Sequence, residues 1–73
     1  MTTISITVAS VPDRDDLVVE LWHGDNQVGE VSKDVQGYLK VALYPAPAGA
    51  SWQLRLDELL GALTQARRRI GNS

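Results

Sequence analysis

The 73-residue chain reads as an α+β domain: an antiparallel meander of four strands, with room for a fifth, and one C-terminal helix packed on one face. Three observations predict this. Apolar residues recur at every second position in several short runs, the period of a half-buried strand. Clusters of turn-forming residues separate those runs. After Asp57 the apolar period changes to that of a helix and holds to Ile70. Strands followed by a helix can bury each other's apolar faces in two layers.

Thr3 to Ala9 alternates, with Ile4, Ile6 and Val8 on one side and Ser5 and Thr7 on the other. Val11-Pro12-Asp13-Arg14-Asp15-Asp16 ends that run, because proline lacks an N–H and aspartates favour local side-chain turns. Leu17 to His23 is a second strand, with Leu17, Val19 and Leu21 facing away from Val18, Glu20 and Trp22, and Gly24-Asp25-Asn26 is its hairpin turn. Gln27 to Ser32 is a third strand. Val28 and Val31 have opposite parity there with Gly29 between them, as a β-bulge requires, which leaves the register open. Lys33 to Gly37 turns the chain, and Tyr38 to Tyr44 shows the clearest alternation of all. Pro45 to Ala50 cannot donate regularly to a ladder and reads as an extended connector with a flexible tip. Trp52 to Leu56 alternates again, which is the case for a fifth strand.

The helix signature begins at Asp57, a good N-cap, with Glu58 behind it at the positive end of the helix dipole. Arg67, Arg68 and Arg69 sit at the negative end, and Gly71 is a candidate C′ residue. Leu59, Leu63, Ala66 and Ile70 fall on one stripe, flanked by Leu60 and Ala62. That stripe is expected to meet Ile4, Ile6, Val8, Leu17, Val19, Leu21, Leu39, Val41, Leu43, Leu54 and Leu56 in one small aliphatic core.

A chain this short forms one domain and buries only about 60 to 65% of its unfolded surface, so dimerisation is an open route to stability. Cysteine is absent, which excludes a disulfide scaffold, a thiolate zinc site and a cysteine nucleophile and is compatible with the cytoplasm, the expected location. The N-terminus has neither a basic segment nor a continuous apolar run, so no signal peptide is expected, and no stretch approaches the ~18 apolar residues of a membrane span. Charge is uneven. Seven acids (Asp13, Asp15, Asp16, Glu20, Asp25, Glu30, Asp34) face only Arg14 and Lys33 in the first half, whereas bases predominate from Val35 onward. An acidic end attracts basic protein surfaces and repels nucleic acid.

No residue set completes a catalytic constellation. His23 is the sole histidine and reads as a solvated strand-end residue, with no nucleophile to serve. Asp13, Asp15 and Asp16 lack the spacing of a calcium loop and have Arg14 among them. Glu20 and Glu30 fall on adjacent strands, yet paired carboxylates acting as acid and base need a pocket that this core can hardly enclose. A non-enzyme without cofactor or metal is therefore expected. Arg67, Arg68 and Arg69 are ~100° apart on a helix, so they fan out and cannot follow one phosphate track, which makes nucleic acid an unfavoured partner.

The informative surface is the sheet face opposite the helix, where parity places Val18, Trp22, Tyr38, Ala42 and Tyr44 beside Glu20 and Lys40. Trp and Tyr bury large area at low entropic cost and serve as interface anchors. The segments Leu17-Val18-Val19-Glu20-Leu21-Trp22, Gly29-Glu30-Val31-Ser32, Leu39-Lys40-Val41-Ala42-Leu43-Tyr44-Pro45 and Trp52-Gln53-Leu54-Arg55-Leu56-Asp57-Glu58-Leu59-Leu60 resemble small uncharacterised bacterial proteins built of a meander and one helix. Those are similar in scale to immunity proteins and phage-encoded anti-CRISPR inhibitors. The resemblance implies a binder and carries over no site residues. The expected function is thus a non-catalytic inhibitor that meets a larger protein, such as a nuclease or RNA-guided defence complex, through Asp13, Asp15, Asp16, Trp22, Asp25, Tyr38 and Tyr44. A homodimeric accessory subunit and a nucleic-acid-binding module are the alternatives.

Overall fold

The computed structural model describes residues 3–10 and 17–71. Four strands, β1 (Ile4–Ser10), β2 (Leu17–His23), β3 (Asn26–Lys33) and β4 (Leu39–Leu43), form one antiparallel sheet in the order β1-β2-β3-β4. A 3₁₀ turn spans Pro47–Gly49, and one helix, α1, spans Leu56–Gly71. This is the meander and C-terminal helix that the alternating runs predict. The connection carrying Asp13, Asp15 and Asp16 lies outside the described residues.

Local chemistry sets the turns. β2 and β3 are joined by a two-residue hairpin in which Gly24 takes φ 65°, the left-handed value that a primed turn demands at its first central position. The register of β2 against β3 shifts between Leu21 and Trp22: Leu21 faces Gly29 while Trp22 faces Gln27, leaving Val28 as the extra residue of a bulge. The bulge lets both Val28 and Val31 reach the core despite their opposite parity. Gly29 is required there for a second reason. A Cβ on it would lie 2.1 Å from the Ala42 carbonyl oxygen of β4. In the β3–β4 loop the Asp34 carboxylate accepts the N–H groups of Gln36 and Tyr38, both at 2.9 Å, and Gly37 supplies φ 90°.

The core comprises Val19, Leu21, Val28 and Val31 from the sheet and Ala62, Ala66 and Ile70 from the helix, with Ile4, Ile6, Trp52, Leu54 and Leu63 packed around it. The helix rests chiefly on β1, β2 and β3. Its buried stripe turns toward Ala62 relative to the expected one, so Leu59 and Leu63 are only half-buried. The buried helix residues are thus two alanines and Ile70, with Leu63 packed beside them.

Several expectations are corrected. No fifth strand forms: residues 51–55 make no ladder, and Trp52 instead ties the connector down by donating its indole N–H to the Tyr44 carbonyl at 2.8 Å. The connector tip is a hydrogen-bonded 3₁₀ turn, closed by Ala50 N–H to the Pro47 carbonyl, with Ala48 held in the left-handed region (φ 57°, ψ 25°). Asp57 lies inside the first helical turn rather than capping it, since the helix starts at Leu56, and Gly71 is its last residue. Leu39, Val41 and Leu43, assigned to the core by parity, are exposed, as are Val8 and Leu56. The three β4 residues point to the helical side of the sheet, but the helix does not extend over them.

Candidate functional site

The sheet face opposite the helix is built from residues one position out of phase with the core. The register places Glu20 directly opposite Glu30, and Glu30 opposite Ala42, in one row across β2, β3 and β4. Like charges facing each other across a strand pair destabilise it by roughly 0.2 to 1 kcal/mol. Neighbouring donors offset part of that cost. The Trp22 indole N–H donates to Glu20 Oε1 at 3.2 Å, a contact available because residues two apart share a face. The Tyr44 hydroxyl donates to the Glu30 carboxylate. Desolvation raises the Tyr44 pKa above its ordinary value, and the hydrogen bond to Glu30 and the charges of Glu30 and Glu20 raise it further, since each disfavours a tyrosinate beside carboxylates.

Two carboxylates and two aromatic donors thus form one cluster, Glu20–Trp22–Glu30–Tyr44, in which Glu20, Trp22 and Glu30 are half-buried and Tyr44 is exposed. Lys40, two positions along β4 from Ala42, is exposed and forms no ion pair within the described residues. Arg55 and Asp57 do pair, at 3.2 Å, but they are exposed at the helix start, where such a contact is worth little. The carboxylate pair is therefore electrostatically unfinished: it has neutral donors but no cation among the described residues.

The expected site residues divide. Trp22 and Tyr44 come together through the two glutamates. Tyr38 is 70% exposed and lies about 20 Å away at the other end of β4. Asp25 is exposed in the β2–β3 turn, at the same end of the sheet as Trp22 and Tyr44. Ser10 and Leu17 pair at the opposite end, and the connection between them that bears Asp13, Asp15 and Asp16 lies outside the described residues. Glu20 and Glu30 are visible in the sequence as acids on adjacent strands, but only the register across the bulge shows that they face each other.

Other features carry less chemistry. His23 is half-buried rather than solvated, its ring set edge-on to Trp52 with centroids 6.4 Å apart at 83°. Among the described residues, no group of three or more His, Asp or Glu is placed to hold a metal ion, and no helix is long and apolar enough to cross a membrane. An open depression of about 180 Å³ beside the helix is lined by Leu60, Leu63, Thr64 and Arg67, below the size range of ligand pockets and without converging polar groups. Arg67, Arg68 and Arg69 are all exposed.

The architecture and the cluster define a small two-layer α+β domain with an acidic, aromatic sheet face. No protein family, curated protein or solved structure matches the chain.

Proposed function

We propose that this protein is a small non-catalytic inhibitor, of the immunity or anti-CRISPR type, that lays its open sheet face on a basic surface of a larger protein. The observation that carries the reading is the Glu20–Glu30 pair, held face to face with its aromatic neighbours and without a cation among the described residues. An incoming arginine or lysine relieves the repulsion between the two carboxylates and gains charge-assisted hydrogen bonds from both. Trp22 and Tyr44 supply the adjoining apolar area, and a site of this composition resembles an interface anchor more than a catalytic centre. A cleft that ordinarily holds nucleic acid, in a nuclease or an RNA-guided complex, offers the matching basic chemistry. Asp13, Asp15, Asp16 and Asp25 add long-range attraction that hastens encounter, while the cluster governs dissociation.

The test uses the chain as bait in lysate from its source cell or from a phage-infected host, with mass spectrometry as readout. Wild-type bait enriches a basic protein, and the Glu20→Gln/Glu30→Gln bait, which keeps the side-chain shape, loses it. Reversing Asp13, Asp15 and Asp16 to lysine slows association and flattens its salt dependence, whereas Tyr44→Ala hastens dissociation. Equal capture by the wild-type and double-glutamine baits, or enrichment of nucleic acid in place of protein, would sink the reading.

A further inference from the structure

Strand β4 is exposed along its whole length and on both faces. On the helical side it presents Leu39, Val41 and Leu43, with Val41 47% and Leu43 67% exposed, in a strip that the helix leaves bare. Its outer edge is equally open. The Tyr44 N–H donates to the Val28 carbonyl at 2.9 Å, and the Tyr38 carbonyl accepts the Asp34 N–H at 2.8 Å. In an antiparallel ladder, residues alternate between pointing both backbone groups at the neighbouring strand and pointing both away. The backbone groups of residues 38, 40, 42 and 44 therefore face β3, and those of Leu39, Val41 and Leu43 face outward, with no strand among the described residues to receive them.

We infer that the occupant of this edge is a second copy of the same chain, paired antiparallel through β4 about a two-fold axis at Val41. Three features single out that pairing. Val41 faces the second copy's Val41 and Leu39 faces the second copy's Leu43, so every outward N–H meets a C=O and the two bare strips merge into one aliphatic band between the two helices. Neighbouring registers fail. Sliding the strands one way sets Lys40 directly against the second copy's Lys40, and sliding them the other way sets Leu39 against Pro45, which has no N–H to give.

The third feature is charge. In the Val41-centred register Lys40 faces the second copy's Ala42, and Ala42 is paired in turn with Glu30. Two strand spacings, about 9 to 10 Å between Cα atoms, separate Lys40 from that Glu30, with only a methyl group between, and the two side chains together span the gap. The unpaired lysine of each copy thus meets the unfinished carboxylate pair of the other. One lysine against two carboxylates leaves each half of the eight-stranded sheet net negative, so the face available to a basic protein stays acidic and is doubled. The dimer does not depend on the identity of that protein.

The absence of cysteine makes the register directly testable. Val41→Cys places a thiol at the axis opposite its own copy, within disulfide range, whereas two Leu39→Cys thiols lie four residues apart along the pair, about 13 Å. Under mild oxidation Val41→Cys is expected to cross-link about tenfold or more faster than Leu39→Cys or Leu43→Cys alone, since only its thiols lie in range of each other. An equimolar mixture of the last two gives the mixed dimer. In sedimentation velocity the wild-type chain runs at twice its 8.0 kDa mass at micromolar concentration. Lys40→Glu runs as a monomer there with an unchanged circular dichroism spectrum. Equal cross-linking rates for the three cysteine variants, a wild-type monomer at high concentration, or a dimer indifferent to Lys40→Glu overturns the inference.

Discussion

Leu21 and Leu43 occupy one row across the sheet, Ile6–Leu21–Gly29–Leu43, and point to the same side of it. Yet Leu21 is 0% exposed and Leu43 is 67% exposed. The side chains are identical and the alternation that places them is equally regular. What differs is the layer above: α1 covers β1 to β3 and stops short of β4. Alternation identifies the face on which a residue lies, and burial depends on how far the covering element reaches.

The comparison predicts a large asymmetry between identical substitutions. Leu21→Ala is expected to cost about 2 to 5 kcal/mol, the transfer term plus the cavity left in a well-packed core. Leu43→Ala, measured at a protein concentration low enough to remove any contribution from a second copy, is expected to cost under about 1 kcal/mol. Urea unfolding of both variants checks this, and similar losses would mean that β4 is covered in solution.

Gly29 sits at the boundary between the covered strands and β4. Gly29→Ala drives a Cβ into the Ala42 carbonyl and forces β4 away from β3, at a cost of about 1 to 3 kcal/mol. Amide exchange distinguishes this from a uniform loss: protection of the β3–β4 ladder falls further than that of Val19 and Leu21. The connector that carries the chain from β4 to the helix offers a smaller effect of opposite sign. Ala48 holds a left-handed conformation that costs an L-residue about 1 to 2 kcal/mol, so Ala48→Gly is expected to raise stability by up to about 1 kcal/mol once the added freedom of the unfolded glycine is subtracted. A lower melting temperature for that variant would contradict it.

The smallest effect probes the acidic face. In a Tyr38→Phe background, where Tyr44 is the remaining tyrosine, ultraviolet titration should find it ionising above the ordinary tyrosine range, and Glu30→Gln should bring it down. A raised folded-state pKa means the folded chain holds its proton where the unfolded chain has lost it, so this contribution is present below the unfolded value near 10 and is lost as pH rises through the folded one. Tyr44→Phe removes that alkaline loss.

Much of the acidic face is legible in the amino-acid sequence. Trp22 and Glu20 share a face because strand parity is local, Tyr44 falls on the matching face of β4 for the same reason, and Asp25 sits in a turn because Gly24 supplies the left-handed φ. Parity does not place Glu30 beside them, because a bulge at Val28 resets the register by one residue, and a one-residue slip moves every later side chain to the other face. Val28 and Val31 are recognisable as needing a bulge, but its effect on cross-strand pairing depends on which hydrogen bonds survive.

The order of elements, the faces of β1, β2 and β4, the glycine turn and the extent of the helix to within a residue or two are readable from the chain, since each follows from interactions among near neighbours in it. Contacts between residues far apart in the chain are needed to set Glu20 against Glu30, to bury Ala62 more deeply than Leu59, and to leave β4 bare. The reason is geometric. A helix about 10 Å across spans roughly two inter-strand spacings of ~4.8 Å and cannot cover a four-stranded sheet, and the place where it settles depends on packing between residues far apart in sequence.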